Sequence, residues 1–317
     1  MTHYGCSLLG CGVEDDRHFE MEDYEGQVAR WCPGCSDHSV LAAMQRLLEE
    51  KQLKPENTVF VSGIGCSSRF PHYMNTYGFH GLHGRALPVA TGIKLERPEL
   101  DVFAVMGDGD CCSIGAGHWI HAVRYNVDMM ALMLDNNMYG LTKGQTSPTT
   151  PEQYPSNTQP KGSYLRALNP ISGTLGVTNA SFVAQTAEWI PAHLYETLKQ
   201  AYEHKGFSFV RVLQRCPIYT SSIYDEAVRK PEVIELLVHD DGINLPDLGQ
   251  IYQNHLVHDP SNLNEGRRLA EAGDKVRIGV LYKNPDAPRY EELRKLPAHT
   301  AEERVVLLNE ELDRYAV

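Results

Sequence analysis

The chain has 317 residues, of which 42% are hydrophobic and 22% are charged, and its formal net charge is −12. This length and composition predict a globular protein with a large core and one or two domains. The acidic charge argues against broad binding of nucleic acid or of anionic membrane surfaces. No apolar run approaches the ~20 residues of a membrane span, and the first residues lack the basic start and apolar core of a signal peptide, so we expect a cytoplasmic protein.

Eight cysteines are distributed along the chain. In a cytoplasmic protein, cysteines more often bind metals, act in catalysis or fill the core than form disulfides. Cys6 and Cys11 lie in a polar N-terminal arm predicted over residues 1–27, where we expect incidental thiols. Cys111 and Cys112 are adjacent, and a disulfide between neighbours would be strained. We therefore expect both to be packing residues.

The predicted elements alternate between helices and buried strands after the arm. In chain order they are a helix at 38–51, a strand at 57–66, a helix at 85–100, a strand at 101–110, a helix at 113–126, a strand at 127–137, a loop at about 145–165, one or two helices over 182–206 and a fourth strand at 207–216. This alternation predicts an α/β fold with a doubly wound parallel sheet over residues 28–220. Residues 221–317, with a strand at 275–282 and helices around 291–314, are expected to form a C-terminal extension.

The four predicted strands end in GIGC, GDGD, DNN and QRC. Functional groups of parallel α/β sheets collect at the carboxyl ends of the strands. We therefore expect these four sequences to meet at one edge of the sheet.

Residues 31–35 read WCPGC, which places Cys32 and Cys35 in a CxxC motif before the first helix. Cys66 and Cys216 end two of the predicted strands, so four thiolates can converge. Such a set suits an iron–sulfur cluster or a zinc ion. One CxxC with two distant cysteines is more typical of a cluster, whereas structural zinc sites usually pair two CxxC knuckles. A thioredoxin-like dithiol is a third interpretation of the CxxC motif. It is disfavoured by the Pro-Gly order and by the absence of a small thioredoxin-sized domain.

The GDG sequence at 107–109 and the NN sequence at 136–137 are separated by 26 residues. That interval fits one crossover helix and one strand, which return both sequences to the same crevice. Glycines let the backbone approach an anion, while Asp108 and an asparagine amide oxygen are hard donors that suit Mg²⁺. The sequence therefore predicts a Mg²⁺-bridged diphosphate beside a helix that starts near Ser113.

As a set, these motifs resemble the β subunits of 2-oxoacid:ferredoxin oxidoreductases. The resemblance covers about residues 28–220 and rests on GDG-x26-NN, WCPGC, GIGCS, HGRALP, DNNMYGLTKGQTSPT and the late RCP. It implies a fold of the thiamine-diphosphate-binding type, with a thiamine-diphosphate and 4Fe–4S domain at 28–220. No motif is recognised in the arm or in residues 221–317.

The resemblance also implies roles for individual residues. Cys32, Cys35, Cys66 and Cys216 correspond to the four ligands of one 4Fe–4S cluster. Asp108 and Asn136 correspond to the side-chain ligands of Mg²⁺, Met138 offers its backbone carbonyl, and Asn137 holds the turn. The positions expected around thiamine diphosphate are Gly65, Cys66, Gly107, Gly109, Asp110, Gly140, Leu141 and Thr142, with Ser67 and Ser68 expected between cluster and thiazolium.

The reaction implied is the coenzyme A-dependent oxidative decarboxylation of a 2-oxoacid, with electrons passed through the cluster to ferredoxin and with CO₂ fixation as the reverse. A catalytic glutamate comes from the α subunit in this family, so we expect an α/β assembly, such as α2β2, and no activity of this chain alone. The substrate favoured is 2-oxoglutarate, because Arg69 follows Cys66 by three residues and could pair with a distal carboxylate. His80, His83 and Arg85 are further candidates for lining the site.

Several alternatives stay open at this point. Arg69 could instead bind the phosphate or an acid of its own fold, and the substrate could be pyruvate or a broad range of 2-oxoacids. A thiamine enzyme of the decarboxylase or acetolactate synthase type would explain GDG and NN without the cysteines. A non-enzymatic zinc or iron–sulfur electron-transfer module would explain the cysteines without the Mg²⁺ pattern.

Overall fold

The computed structural model describes residues 17–271, 273–294 and 299–315. Its strands are β1 (Thr58–Ser62), β2 (Tyr77–His80), β3 (Asp101–Gly107), β4 (Met129–Asp135), β5 (Met138–Tyr139), β6 (Gln145–Thr146), β7 (Phe182–Ala187), β8 (Phe207–Leu213), β9 (Ile234–Val238), β10 (His255–Val257) and β11 (Val276–Lys283). Its α-helices are α1 (Asp37–Glu50), α2 (Ala86–Glu96), α3 (Ala116–Tyr125), α4 (Pro170–Leu175), α5 (Pro191–Glu203), α6 (Asp225–Arg229), α7 (Pro246–Ile251), α8 (Leu263–Ala270), α9 (Tyr290–Arg294) and α10 (Ala301–Asp313). Within these ranges, no helix combines the length and the apolar character needed to cross a bilayer.

Nine strands form one sheet in the order β10-β9-β11-β7-β8-β4-β3-β1-β2. Every neighbouring pair from β7 to β2 is parallel. β11 is antiparallel to β7, and β9 and β10 follow the direction of β11. The predicted α/β fold with a doubly wound parallel sheet is confirmed for the strands from β7 to β2, and the structure adds an edge of three strands that run in the opposite direction.

The central strands are apolar throughout because helices cover both faces of the sheet. All seven residues of β4 are buried. Met130, Leu132 and Leu134 pack in one cluster with residues of α1 and α5. Ala131 and Met133 pack on the opposite face with residues of α2 and α3. A strand buried on both faces reads as a continuous hydrophobic run, which is why β1, β3, β4 and β8 could be predicted.

The prediction of helices over 182–206 was wrong for its first part. Phe182–Ala187 is strand β7, which lies between β8 and β11, and the helix α5 begins only at Pro191. Five of the six β7 residues are buried, so this segment has no polar face of the kind that a surface helix needs. Proline at the first helical position is a common helix start and marks the true boundary.

The described parts of the two terminal segments are integrated into the predicted central domain, residues 28–220, through its core or its sheet. In the expected arm, Phe19 and Tyr24 are buried in the main core, and the Tyr24 hydroxyl donates to the carbonyl oxygens of Leu48 and Leu53 at 3.1 and 2.8 Å. Cys6 and Cys11 lie outside the described residues. From the expected C-terminal extension, β9, β10 and β11 join the main sheet. The boundaries at 27/28 and 220/221 stay predictions.

Candidate functional site

The four strand ends singled out in the sequence are neighbours in the sheet. β8, β4, β3 and β1 lie side by side and are parallel, so their carboxyl ends share one edge. A cavity of about 260 Å³ opens there. Its lining includes all eleven residues predicted to contact the cofactor: Gly65, Cys66, Gly107, Asp108, Gly109, Asp110, Asn136, Met138, Gly140, Leu141 and Thr142.

Asp108 is a buried carboxylate at the base of this cavity. Its Oδ2 atom accepts hydrogen bonds from the Ser147 hydroxyl and, at 2.6 Å, from the Thr149 hydroxyl. Burial, and after it the negative charge of Asp135, raises the pKa of Asp108 to about 7. A carboxylate that is costly to ionise in isolation is stabilised when a cation binds beside it.

Asp135 lies behind Asp108 and is fully buried. Its Oδ2 atom accepts a hydrogen bond from Nε of Arg211 at 2.7 Å and forms a salt bridge with Nη2 of Arg211 at 2.6 Å. Its Oδ1 atom accepts from the Asn137 backbone N–H at 3.1 Å and lies 2.7 Å from the Thr149 hydroxyl. A single threonine therefore bridges the two buried carboxylates.

The two asparagines of the NN sequence have different surroundings. Asn136 lines the cavity, and its Oδ1 atom accepts from the Met138 backbone N–H at 3.1 Å. Asn137 is buried, adopts a left-handed backbone with φ of 60°, and donates from Nδ2 to the Thr149 carbonyl at 3.0 Å. Asparagine tolerates this backbone better than most residues, so Asn137 suits the turn and Asn136 suits contact with a ligand.

Asp110 ties the loop after β1 to the segment before α2. Its Oδ1 atom accepts from the backbone N–H groups of Ile64 and Gly84 at 3.1 and 2.6 Å and contacts His83 Nδ1 at 2.7 Å. His83 lines the cavity, whereas His80 and Arg85 do not. Of the three extra candidates named from the sequence, only His83 lies in this cavity.

Ser67 lines the cavity, whereas Ser68 and Arg69 do not. Ser68 is fully buried, and its hydroxyl has no hydrogen-bond partner among the described residues. The Arg69 Nε atom donates to the Tyr73 hydroxyl at 2.9 Å, and the guanidinium lies 5.7 Å from the centre of the Tyr73 ring. Arg69 therefore lies outside the cavity, and its guanidinium is held by Tyr73.

Cys66 and Cys216 approach each other across Gly140. A Cβ atom placed on Gly140 would lie 3.5 Å from the Cys66 Sγ atom and 4.0 Å from the Cys216 Sγ atom. Burial raises the pKa of the Cys66 thiol to about 12, with further contributions from Asp37 and from the thiols of Cys216 and Cys32. Each of the other three predicted cysteine ligands is thus close enough to Cys66 for the charges of the two sulfurs to interact.

The CxxC loop is attached to the loops that carry the other two cysteines. The Trp31 indole N–H donates to the Cys66 carbonyl at 2.7 Å. The Ser36 hydroxyl donates to the Arg215 carbonyl at 2.9 Å, beside Cys216. Cys32 is exposed, whereas Cys35 is half-buried and its Sγ atom lies 3.5 Å from Asp37 Oδ2. Burial, and after it the Asp37 charge, raises the pKa of the Cys35 thiol.

In the described part of the chain, no group of three or more histidine, cysteine, aspartate or glutamate side chains is arranged to hold one metal ion. The four cysteines are therefore near one another without sharing the geometry of a single-ion site. Cys111 and Cys112 are buried next to the cavity edge, and the Cys112 thiol lies 3.5 Å from the Met133 sulfur.

Several residues of the site could not be singled out from the sequence. They are Asp37, Asp135, Ser147, Thr149, Arg211 and Gln214. Gln214 lines the cavity and donates from Nε2 to Asp37 Oδ1 at 2.9 Å, which links the cavity to the cysteine loop. The only local sign was position, because Asp135 and Gln214 stand at the ends of predicted strands and Ser147 and Thr149 follow the NN sequence closely.

Comparison with known families gives two matches along the chain. Residues 63–212 match the family described as "Thiamine pyrophosphate enzyme, C-terminal TPP binding domain". Residues 247–297 match the family that describes the C-terminal part of the pyruvate ferredoxin oxidoreductase beta subunit. The second match falls in the segment where no motif was recognised in the sequence.

Curated relatives are similar over most of the chain. The "2-oxoacid:ferredoxin oxidoreductase subunit beta" of Sulfolobus sp is 40% identical over 83% of this chain and 84% of that protein. The "2-oxoglutarate oxidoreductase subunit KorB" of Mycobacterium tuberculosis is 46% identical over 67% of this chain, which spans 56% of that protein.

A solved structure shares the fold. It is a chain of "2-oxoglutarate:ferredoxin oxidoreductase from Magnetococcus marinus with 2-oxoglutarate, coenzyme A and succinyl-CoA bound". The two chains are 33% identical, superpose with a TM-score of 0.77, and match over 93% of this chain and 97% of that one.

Proposed function

Because this chain belongs to the family of 2-oxoacid:ferredoxin oxidoreductase β subunits, we propose that it binds thiamine diphosphate, Mg²⁺ and one 4Fe–4S cluster. With an α subunit it would convert a 2-oxoacid, coenzyme A and two oxidised ferredoxins to acyl-CoA, CO₂, a proton and two reduced ferredoxins. Family membership and the fold of the thiamine-diphosphate-binding type agree with the predictions from the sequence motifs, as does the class of enzyme, an oxidoreductase. The favoured substrate is 2-oxoglutarate.

The observation that carries the proposal is the contact of two different sites through one glycine. The cavity at the strand ends holds Asp108 and Asn136, which are oxygen donors of the kind that Mg²⁺ prefers. The sulfurs of Cys66 and Cys216 lie beside Gly140 of this cavity, 3.5 and 4.0 Å from a Cβ atom placed on that glycine. A thiamine enzyme without electron transfer has no need for the cysteines, and an electron-transfer module has no need for the cavity.

The residues of the cavity fit a Mg²⁺-bound diphosphate. Asp108, Asn136 and the Met138 backbone carbonyl would hold the metal, and Gly107 and Gly109 give the backbone close approach. A Cβ atom on Gly109 would overlap the Tyr139 ring at 2.2 Å, so only glycine fits there without a shift of that ring. The protein's part is to orient the cofactor and to keep water from the reacting centre.

The four cysteines fit a cluster better than a zinc ion. In a cubane cluster each iron takes one cysteine, so the four sulfurs need not surround a single ion. Zinc requires four ligands in a tetrahedron about one centre. Cys32, Cys35, Cys66 and Cys216 would be the ligands, and Trp31 and Ser36 would hold their loops together through the hydrogen bonds described above.

When bound, thiamine diphosphate would supply the decarboxylation chemistry, and the 4Fe–4S cluster would supply one-electron transfer. The residues of this chain determine where each of the two groups would lie. Gly65, Cys66 and Ser67 line the cavity on the side of the cysteines, so the path between the two proposed sites is short. Cys32 is exposed, which gives the cluster a side from which ferredoxin could take electrons.

The choice of 2-oxoglutarate over pyruvate is supported by the names of the relatives. Proteins named for 2-oxoglutarate appear among the relatives and the solved structures that match this chain. Arg69 supplies a cation beside the cysteine loop, although its guanidinium is bound to Tyr73 in this structure.

The test is reduction of ferredoxin by the purified chain with and without its α partner. With the partner, 2-oxoglutarate and coenzyme A, ferredoxin should be reduced and succinyl-CoA formed in a ratio of two reduced ferredoxins to one product. The chain alone should give no turnover. Turnover by the isolated chain, or a complex that holds zinc and is inert toward every 2-oxoacid, would refute the proposal.

A further inference from the structure

A buried run of polar contacts leads from Asp108 to a residue that does not line the cofactor cavity. Asp108 Oδ2 lies 2.6 Å from the Thr149 hydroxyl, which lies 2.7 Å from Asp135 Oδ1. Asp135 Oδ2 is bound by Nε and Nη2 of Arg211 at 2.7 and 2.6 Å. Arg211 belongs to β8 and is held from its other side by Gln185 Oε1 at 3.0 Å.

The Thr149 hydroxyl has one hydrogen and two carboxylate neighbours, so it can donate to only one of them at a time. Asp135 has two other hydrogen-bond donors, which are the Nε–H group of Arg211 and the Asn137 backbone N–H, and it also forms an ion pair with Nη2 of Arg211. Asp108 Oδ2 has the hydroxyls of Ser147 and Thr149, and the backbone N–H of Gly109 also stabilises the carboxylate. The hydrogen of Thr149 is therefore needed by Asp108, and Arg211 makes it available.

The three residues that share the Thr149 hydrogen are buried, so a lost hydrogen-bond donor leaves a carboxylate oxygen without a partner. Asp108 is 2% exposed, Asp135 is 0% exposed and Thr149 is 1% exposed, so water does not replace a lost donor. If Arg211 lost its charge, Asp135 would take the Thr149 hydrogen, and Asp108 would lose one of the contacts that fix its Oδ2 atom.

We propose that Arg211 is a positioning residue for the metal ligand Asp108 and that it acts through Asp135 and Thr149. By saturating Asp135 it keeps the Thr149 hydroxyl turned toward Asp108, which anchors Oδ2 and leaves Oδ1 for the divalent cation. The inference rests on the proposed function of Asp108. The inference adds Arg211 of β8 to that site, although the Arg211 side chain does not line the cofactor cavity.

The experiment measures binding of Mn²⁺, as a paramagnetic substitute for Mg²⁺, to the full chain in complex with its partner and in the presence of thiamine diphosphate. Loss of the free Mn²⁺ EPR signal gives the affinity without any need for turnover. Arg211→Met and Thr149→Val should each weaken Mn²⁺ binding about 10- to 100-fold, the usual effect of removing a residue that orients a metal ligand. Thr149→Ser keeps the hydroxyl and should bind Mn²⁺ like the unchanged chain.

Two further variants separate positioning from general destabilisation. Thr174→Val removes an equally buried hydroxyl, which donates to the Pro170 carbonyl at 2.8 Å and does not contact the site, so Mn²⁺ affinity should not change. Asp135→Asn combined with Arg211→Met removes both charges of the pair, and the neutral amide oxygen competes for the Thr149 hydrogen less than an unpaired carboxylate does, so the affinity should recover in part. This double variant also avoids leaving Asp135 as an unpaired buried charge if Arg211→Met alone fails to fold.

The outcomes are distinguishable. If the unchanged complex binds Mn²⁺ and thiamine diphosphate but Arg211→Met and Thr149→Val bind Mn²⁺ equally well, the inference is overturned and the proposed function stands. Equal weakening by Thr174→Val would also overturn it, since the effect would then be unspecific. If the unchanged complex binds neither ligand, the proposed function itself fails, and the inference fails with it.

Discussion

Gly140 lies against the sulfur of Cys66, so that a Cβ atom placed on Gly140 would be 3.5 Å from the Cys66 Sγ atom. The same glycine lines the cavity at the carboxyl ends of the strands. The proposed cofactor site and the proposed cluster site are therefore separated by little more than one residue's backbone. This closeness is what an enzyme needs when electrons leave one bound group for another.

The size of residue 140 should decide whether the cluster assembles. A single methyl group makes an ordinary contact at 3.5 Å, so Gly140→Ala should keep its iron. The larger Gly140→Val should lose iron, because its added methyl groups fall on the sulfurs. Iron analysis of the anaerobically purified complex checks this, with Gly117→Val as the control, since a Cβ at Gly117 meets nothing within 4 Å. Full iron in Gly140→Val would contradict the placement of the cluster.

The two asparagines of the turn should respond differently to alanine. Asn137→Ala puts alanine in the left-handed region and removes a buried hydrogen bond, so it should cost about 2–4 kcal/mol of stability. Asn136→Ala should cost about 1 kcal/mol or less while it weakens Mg²⁺ binding. Urea unfolding and Mg²⁺ titration of both variants measure these effects. If Asn137→Ala weakened Mg²⁺ binding without a loss of stability, Asn137 would be the metal ligand and the assignment of the two asparagines would be wrong.

Acid should destabilise the fold through buried neutral histidines. Burial lowers the pKa of His193 from 6.5 to about 3, and burial followed by the charge of Lys283 lowers the pKa of His204 to about 4. Below about pH 6.5 the unfolded chain binds more protons than the folded chain at both positions, so the contribution of these two histidines to the free energy of unfolding falls as the pH falls toward about 4, whereas the raised pKa of Asp108 acts in the opposite direction.

The size of this effect can be measured by urea unfolding at two pH values. Between about pH 7.5 and about pH 5.5 each buried histidine should remove about 1.4 kcal/mol from the free energy of unfolding. His193→Gln should be less sensitive to pH by that amount, whereas His255→Gln, at an exposed position, should behave like the unchanged chain. An unchanged pH dependence in His193→Gln would show that His193 does not control acid sensitivity.

Arg69 should affect 2-oxoglutarate more than pyruvate. If its guanidinium leaves Tyr73 and pairs with the distal carboxylate, Arg69→Ala should raise KM for 2-oxoglutarate roughly 10- to 100-fold and leave KM for pyruvate nearly unchanged. Steady-state kinetics with both substrates on the α/β complex decide this, with Arg69→Lys as the variant that keeps the charge. Equal effects on both substrates would leave Arg69 with its structural contact to Tyr73 alone.

Much of the site could be predicted because it is built from strand ends. In a parallel sheet, the residue that follows a buried strand has a known position, so Gly65, Asp108 and Asn136 could be assigned to one crevice before any contact was known. The family that these motifs predict is confirmed by the relatives and by the solved structure. The other cofactor positions, such as Gly140, Leu141 and Thr142, were implied by the family resemblance, and all eleven predicted residues line one cavity.

What could not be predicted depends on contacts between distant parts of the chain. Arg211 binds Asp135 across 76 positions, and Thr149 reaches Asp108 across 41. Asp135 and Thr149 lie within the motif DNNMYGLTKGQTSPT, but the motif alone does not show which carboxylate or arginine each of them contacts. Strand β7 was missed because a short buried run beside a helix carries no clear period, and β2 was missed because all four of its residues are exposed at the sheet edge.

The most direct test of the account is to analyse the anaerobically purified α/β complex for cofactors and then to add 2-oxoglutarate and coenzyme A while recording EPR. The account predicts about four iron, four sulfide and one thiamine diphosphate for each copy of this chain, and a reduced-cluster signal that appears only after 2-oxoglutarate is added. Zinc without sulfide, or a full cluster that 2-oxoacids leave oxidised, would contradict the claim that this chain joins a thiamine site to an electron-transfer site.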